Sequence, residues 1–195
     1  MEEVVLCIQK LKKLHNLEIK VDNNRFDLFG QIDFYESLWE GRKSSYRDYD
    51  ETKKNVFSLK EYIDKHVEKE VLTHIDAVPD NFVITPENQV KLIDWEYAGM
   101  QDPHLDIAMF CIYSMYEREE IDKFIDIYFE NKCPIETRLK IYCYIAAGGL
   151  LWSNWCEYKS SLGVEFGEYS LMQYRYAKKY YRIFKSEVKK YNEQS

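Results

Sequence analysis

The chain has 195 residues, enough for one large domain or two small ones with a substantial buried core. Its 46% hydrophobic and 31% charged residues exclude a disordered chain. A net charge of −7 argues against nucleic-acid or anionic-membrane partners, which want a basic face, but leaves room for a local phosphate site.

Residues 2 to 16 set Val4, Val5, Ile8, Leu11 and Leu14 at helical spacing. A second helical pattern runs over 25 to 40 through Leu28, Phe29, Ile32, Tyr35 and Trp39. The polar stretch from Gly41 to Thr52 reads as a loop. Ser58 is placed to cap a helix carrying Leu59, Tyr62, Ile63 and Val67, with Glu61 completing a capping box. After a short apolar lead, Val71-Leu72, two β-prone runs follow, Phe82 to Thr85 and Val90 to Ile93, joined by Pro86-Glu87-Asn88-Gln89.

Helices then resume from about Asp102 to Tyr116, from about Glu119 to Phe129, and from Pro134, a residue suited to the first turn of a helix. The segment Ile141 to Trp152 is apolar nearly all round and belongs at the centre of the fold. Its twelve residues are too short to span a bilayer, and its Gly148-Gly149 pair suits a close backbone approach. Gly163 precedes a last long helix from Val164 to about Tyr191. No repeat, low-complexity tract or linker interrupts the chain, so a single domain over 1–195 is expected, mainly helical (α+β) around one small β-hairpin.

The five cysteines form no C-x-x-C pair, are odd in number and sit mostly in apolar helical runs. They read as reduced buried thiols of a cytoplasmic protein. No basic-then-apolar leader opens the chain.

Chemistry concentrates in residues 71 to 108. His74, Asp76 and Asn81 form H-x-D-x-x-x-x-N, and the hairpin returns the chain to Asp94-Trp95-Glu96, eighteen residues after Asp76. Two carboxylates and a carboxamide can thereby converge. These hard oxygen donors suit Mg²⁺, which takes one or two carboxylates plus the oxygens of a nucleotide phosphate. A carboxylate not engaged by the ion can orient a substrate hydroxyl for in-line attack. The motif alone is common. Its weight comes from the hairpin and the following D-P-x-x-D-I-A, Asp102 to Ala108, in one order.

Thr73 to Asp76 with Asn81, Leu92 to Gly99, and Asp102-Pro103 with Asp106-Ile107-Ala108 resemble the choline/ethanolamine kinases, closest to the bacterial type, within the aminoglycoside-phosphotransferase and protein-kinase-like fold. The resemblance is specific over 71 to 108 and looser over 134 to 182. It implies the helical C-terminal lobe of such an enzyme, with ATP as co-substrate. Asp76 would be the catalytic carboxylate, Asn81 and Asp94 the Mg²⁺ ligands, His74 a structural residue and Asp106 a support for the loop backbone. Glu96 matches an acidic position of the family that serves the metal or the substrate ammonium.

A quaternary ammonium donates no hydrogen bond, so aromatic faces and carboxylates must recognise it. Trp152 and Trp155, three apart on one helix, with Tyr97 and Tyr176, resemble the family's choline cage. Ordinary aromatic core is the competing reading in a chain with 17 tyrosines. The family's small lobe would supply a glycine-rich loop over the phosphates and a strand lysine, yet no G-x-G occurs here. The resemblance therefore implies a lobe without its N-terminal nucleotide lobe, with little turnover by itself. Rival readings are an aminoglycoside or other small-alcohol kinase lobe and a non-catalytic choline-binding module.

Overall fold

The structure, a computed structural model, describes residues 2–194. Among these it has eight α-helices and four three-residue strands: α1 (Glu2–Asn16), α2 (Leu28–Ser37), α3 (Tyr49–Phe57), α4 (Lys60–His66), β1 (Val71–Thr73), β2 (Phe82–Ile84), β3 (Val90–Leu92), β4 (Gly99–Gln101), α5 (His104–Tyr113), α6 (Arg118–Tyr128), α7 (Ile135–Ser161) and α8 (Glu168–Gln194). The mainly helical architecture matches the sequence expectation. The chain packs as two compact units, Met1–Phe26 with Val67–Ile141 and Asp27–His66 with Tyr142–Ser195.

In the first unit the expected hairpin forms as β2 and β3, paired Phe82 to Leu92 and Ile84 to Val90. A second antiparallel pair, absent from the sequence reading, joins β1 to β4, with Val71 opposite Gln101 and Thr73 opposite Gly99. Arg25 bridges to Met100 on the other side of β4. Gly99 is needed there because a Cβ would lie 3.1 Å from Asn24 O and from Phe26 N. Helix α5 is buried at every position from Leu105 to Ile112, and Ile8, Leu11, Ile121, Phe124 and Ile125 of α1 and α6 complete the core.

In the second unit two local expectations fail. The predicted loop to Thr52 ends earlier, because α3 starts at Tyr49 and buries Tyr49, Thr52 and Val56 despite its polar sequence. Ser58 closes α3 instead of capping α4, and its hydroxyl donates to Asn55 O at 2.6 Å. The shortened loop is held by Glu157 of α7, whose carboxylate accepts from Ser44 Oγ at 2.8 Å and from Ser45 Oγ at 2.7 Å. Tyr46 stacks on Tyr174 of α8 with ring centroids 3.7 Å apart. The stretch Ile141 to Trp152 is buried almost throughout, as its composition predicts. Gly149 permits a close approach of α8, since a Cβ there would stand 2.6 Å from Gln173 O.

All five cysteines are free thiols, four of them buried. Burial pushes the Cys7 and Cys133 thiols up to about 11, so they stay protonated near neutrality. Among the described residues no helix is long and apolar enough to cross a membrane.

Candidate active site

The loop from β1 to β2 is fixed from below by one carboxylate. Asp106, on the first turn of α5 and fully buried, accepts from His74 N at 2.9 Å through Oδ2 and from Ile75 N at 2.7 Å through Oδ1. A buried charge is tolerated only when it is hydrogen-bonded, and these two amides supply that. They also hold Ile75 at φ +68°, a left-handed conformation that costs a β-branched residue on the order of 1–3 kcal/mol. A third donor, which sequence reasoning missed, is His15 of α1, whose Nε2 is 2.9 Å from Asp106 Oδ2. Because a carboxylate only accepts, Nε2 carries the proton, and Nδ1 at 2.7 Å accepts from the Tyr128 hydroxyl of α6 in the neutral ring.

The strained turn presents Asp76. The Asn81 amide nitrogen donates to Asp76 O at 2.9 Å and to Asp76 Oδ2 at 3.1 Å, which closes the loop and points the two side chains at each other. Partial burial raises the Asp76 carboxyl above its usual range, opposed by hydrogen bonds from Tyr113 and Asn81 and by His74, and reinforced by the charge of Asp94. Asp94 therefore stands within electrostatic reach of Asp76. Its position follows from the hairpin: Ile93 N donates to Asn81 O at 3.0 Å, extending the β2–β3 ladder by one pair and setting Asp94 next in line. Asp94 is solvent-exposed and holds φ +61°.

His74 is wholly buried. Its Nε2 donates to Ile93 O at 2.8 Å and its ring meets Trp95 edge-on at 4.7 Å, so it ties the loop to the hairpin end. Glu96 is exposed and Tyr97 half-buried in the turn that follows. Farther on, Asp102 pairs with Lys140 at 2.6 Å, both 1% exposed, an ion pair that no sequence motif announced.

The donor set fits a divalent ion. With its nitrogen on Asp76, Asn81 keeps Oδ1 as an acceptor, and Asp94 offers an exposed carboxylate. No group of three His, Cys, Asp or Glu side chains able to hold a metal occurs among the described residues. An ion here would complete its shell with phosphate and water oxygens.

The aromatic candidates of the second unit differ among themselves. Trp152 and Trp155 meet edge-to-face at 5.9 Å, but Trp152 is 3% exposed whereas Trp155 is half-buried. The Lys159 ammonium lies 5.7 Å from the Trp155 ring centre, so this indole already offers a face to a cation. Tyr176 is buried, 6.0 Å from Tyr180.

Comparison with known proteins finds relatives of this chain. Protein LicA of Haemophilus influenzae is 29% identical over 175 residues, covering 84% of this chain and 63% of that protein. The crystal structure of choline kinase LicA from Streptococcus pneumoniae superposes with a TM-score of 0.79 at 30% identity, over 93% of this chain and 63% of that one. A structure of LicA in complex with AMP gives 0.77 at 30% identity, over 91% and 61%. The chain thus spans less than two thirds of the length of these relatives. Residues 2–142 match the family described as the phosphotransferase enzyme family (APH), and with most of its length in that match the chain belongs to it.

Proposed function

We propose that this chain carries the alcohol- and metal-binding part of an ATP-dependent choline kinase. The observation that supports the reading best is the Asp76–Asn81 pair on a loop anchored by Asp106, with Asp94 brought alongside by the hairpin. In the reaction an alcohol oxygen attacks the γ-phosphorus of ATP, the bond from that phosphorus to the β,γ-bridging oxygen breaks, and ADP leaves. The hydroxyl proton passes to the Asp76 carboxylate, giving a phosphomonoester. Asn81 Oδ1 and the Asp94 carboxylate would hold Mg²⁺, which when bound neutralises charge on the phosphates. His74 and Asp106 serve by keeping the loop in place.

Choline is the preferred alcohol in this reading. Trp155 already faces a cation, and Trp152, Tyr97, Tyr176 and Glu96 are the other candidates for its ammonium. Ethanolamine and aminoglycosides are the competing substrates. The buried thiols suit a cytoplasmic setting.

The test is ATP-dependent phosphorylation of choline, ethanolamine and an aminoglycoside, by this chain alone and by this chain joined to the preceding third of Streptococcus pneumoniae LicA. Choline turned over best, with Asp76→Asn reducing kcat by at least about 10³-fold, is the expected result. Aminoglycoside turned over best would replace choline in the assignment. Choline bound but never phosphorylated in either form would make this a binding module.

A further inference from the structure

Trp155, the half-buried indole of the proposed ammonium site, already has a cation on its ring. Lys159 follows it by four residues on α7, so the two side chains share one side of the helix. The Lys159 ammonium stands 5.7 Å from the centre of the Trp155 ring and 5.9 Å from that of Tyr158. Lys159 is half-buried, yet among the described residues it makes no ion pair with a carboxylate. Its backbone is fixed by the end of the helix. Val164 N donates to Lys159 O at 3.2 Å and Gly163 N to Ser160 O at 3.0 Å, with Gly163 at φ +86°, a helix end closed by a left-handed glycine. Beyond that turn Phe166 returns to Trp155 at 5.0 Å, and Trp152 meets the same indole edge-on at 5.9 Å.

We propose that Lys159 is an autoinhibitory contact of the ammonium site: its side chain holds the Trp155 face when no substrate is bound, and choline must displace it to bind. The inference rests on the reading of Trp155 as part of that site. The ring attracts a lysine ammonium and a quaternary ammonium by the same electrostatic term, so the two compete for one face. They do not share it, because like charges at contact distance repel, and more strongly where water is partly excluded. Displacement is feasible. The lysine ammonium is strongly hydrated and sits on a flexible four-carbon stem, so it can swing into water without moving the helix. Lys159 thereby lowers choline affinity without closing the site. Its place in the last turn of α7, where a positive charge suits the helix dipole, accounts for a cation at this end of the helix but not for its seat on the two rings.

Lys159→Met keeps an unbranched side chain and removes the charge, whereas Lys159→Arg keeps the charge. Choline is titrated calorimetrically into each, both as this chain alone and joined to the preceding third of Streptococcus pneumoniae LicA. Lys159→Met should bind choline about 3- to 10-fold more tightly than the unaltered chain, and Lys159→Arg within about two-fold of it. The advantage of Lys159→Met should shrink as sodium chloride is raised, because salt screens the repulsion that the variant removes. The displacement itself is read from the ε-methylene resonances of Lys159, assigned by their loss in Lys159→Met. Ring currents should shift them away from the position of a solvated lysine, and saturating choline should return them towards it. Affinity unchanged or weakened in Lys159→Met, or choline that binds without moving the Lys159 resonances, overturns the competition and leaves the choline reading standing. Choline bound neither by the unaltered protein nor by Lys159→Met, in either form, overturns the choline reading and the competition with it.

Discussion

Asp106 shows how one buried carboxylate sets the conformation of a loop. Its carboxylate satisfies the His74 and Ile75 amides, and those amides hold a turn that Ile75 would not adopt alone. Asp106→Ala leaves both amides unpaired in a dry environment, a loss of about 1–3 kcal/mol for each. Hydrogen exchange should therefore quicken at residues 73 to 81 far more than in α8, and equal change in both would deny Asp106 this role. A second residue gives a pH signature. Burial lowers His104 to about 4, against the pull of Asp102, and the positive charge of Lys140 adds to the lowering by opposing a protonated ring. A base whose folded pKa is lowered takes up its proton later than the unfolded chain does, so stability falls as pH drops from 6.5 towards 4. The shift corresponds to a few kcal/mol by linkage. His104→Phe should flatten the melting temperature across that window, and an unchanged slope would mean that His104 is protonated in the fold. The burial of Asp106 was legible from the apolar residues around it. His15 and Tyr128 were not, because contacts across 91 and 113 positions leave no local pattern.

Elements were legible where periodicity was long. α1, α5, α6, α7 and α8 bury stripes or whole segments that dominate any window of the sequence. α3 was hidden because Asp50, Glu51, Lys53 and Lys54 outnumber its buried positions; tertiary contacts such as the Tyr174 hydroxyl on Thr52 Oγ1 at 2.9 Å complete its inner face. β1 and β4 have three residues each, too few to show alternation, and they pair across 26 positions from Thr73 to Gly99. α7 and α8 supply the test at this scale. Gly149→Ala puts a methyl group where only 2.6 Å separates it from Gln173 O and 2.8 Å from Tyr176 Cβ. Helix propensity favours alanine by about 1 kcal/mol, but overpacking two rigid backbones costs about 1–3 kcal/mol or more. A lower midpoint in urea is expected. A higher one would show that the helices separate freely and that the close approach is dispensable.

For the molecule as a whole, the proposed reading divides the chemistry between two stretches of chain that the sequence keeps far apart. The loop and hairpin of the first unit carry Asp76, Asn81 and Asp94, and α7 carries Trp152 and Trp155 in the second. If both belong to one choline kinase, their variants must fail in different ways. Asp76→Asn should abolish transfer and leave choline affinity within about two-fold, because an ammonium is recognised mainly by aromatic faces. Trp155→Ala should weaken choline binding by about 2- to 30-fold, the equivalent of roughly 0.5 to 2 kcal/mol, with little change in the melting temperature since the ring is partly exposed. Trp152→Ala is expected to behave otherwise: with 3% of its surface exposed, removal of its ring opens a cavity and costs about 3–5 kcal/mol of stability before any ligand is considered. Calorimetric titration with choline, set beside thermal melts of the same three proteins, separates these effects. Choline affinity untouched by Trp155→Ala would remove Trp155 from the proposed ammonium site.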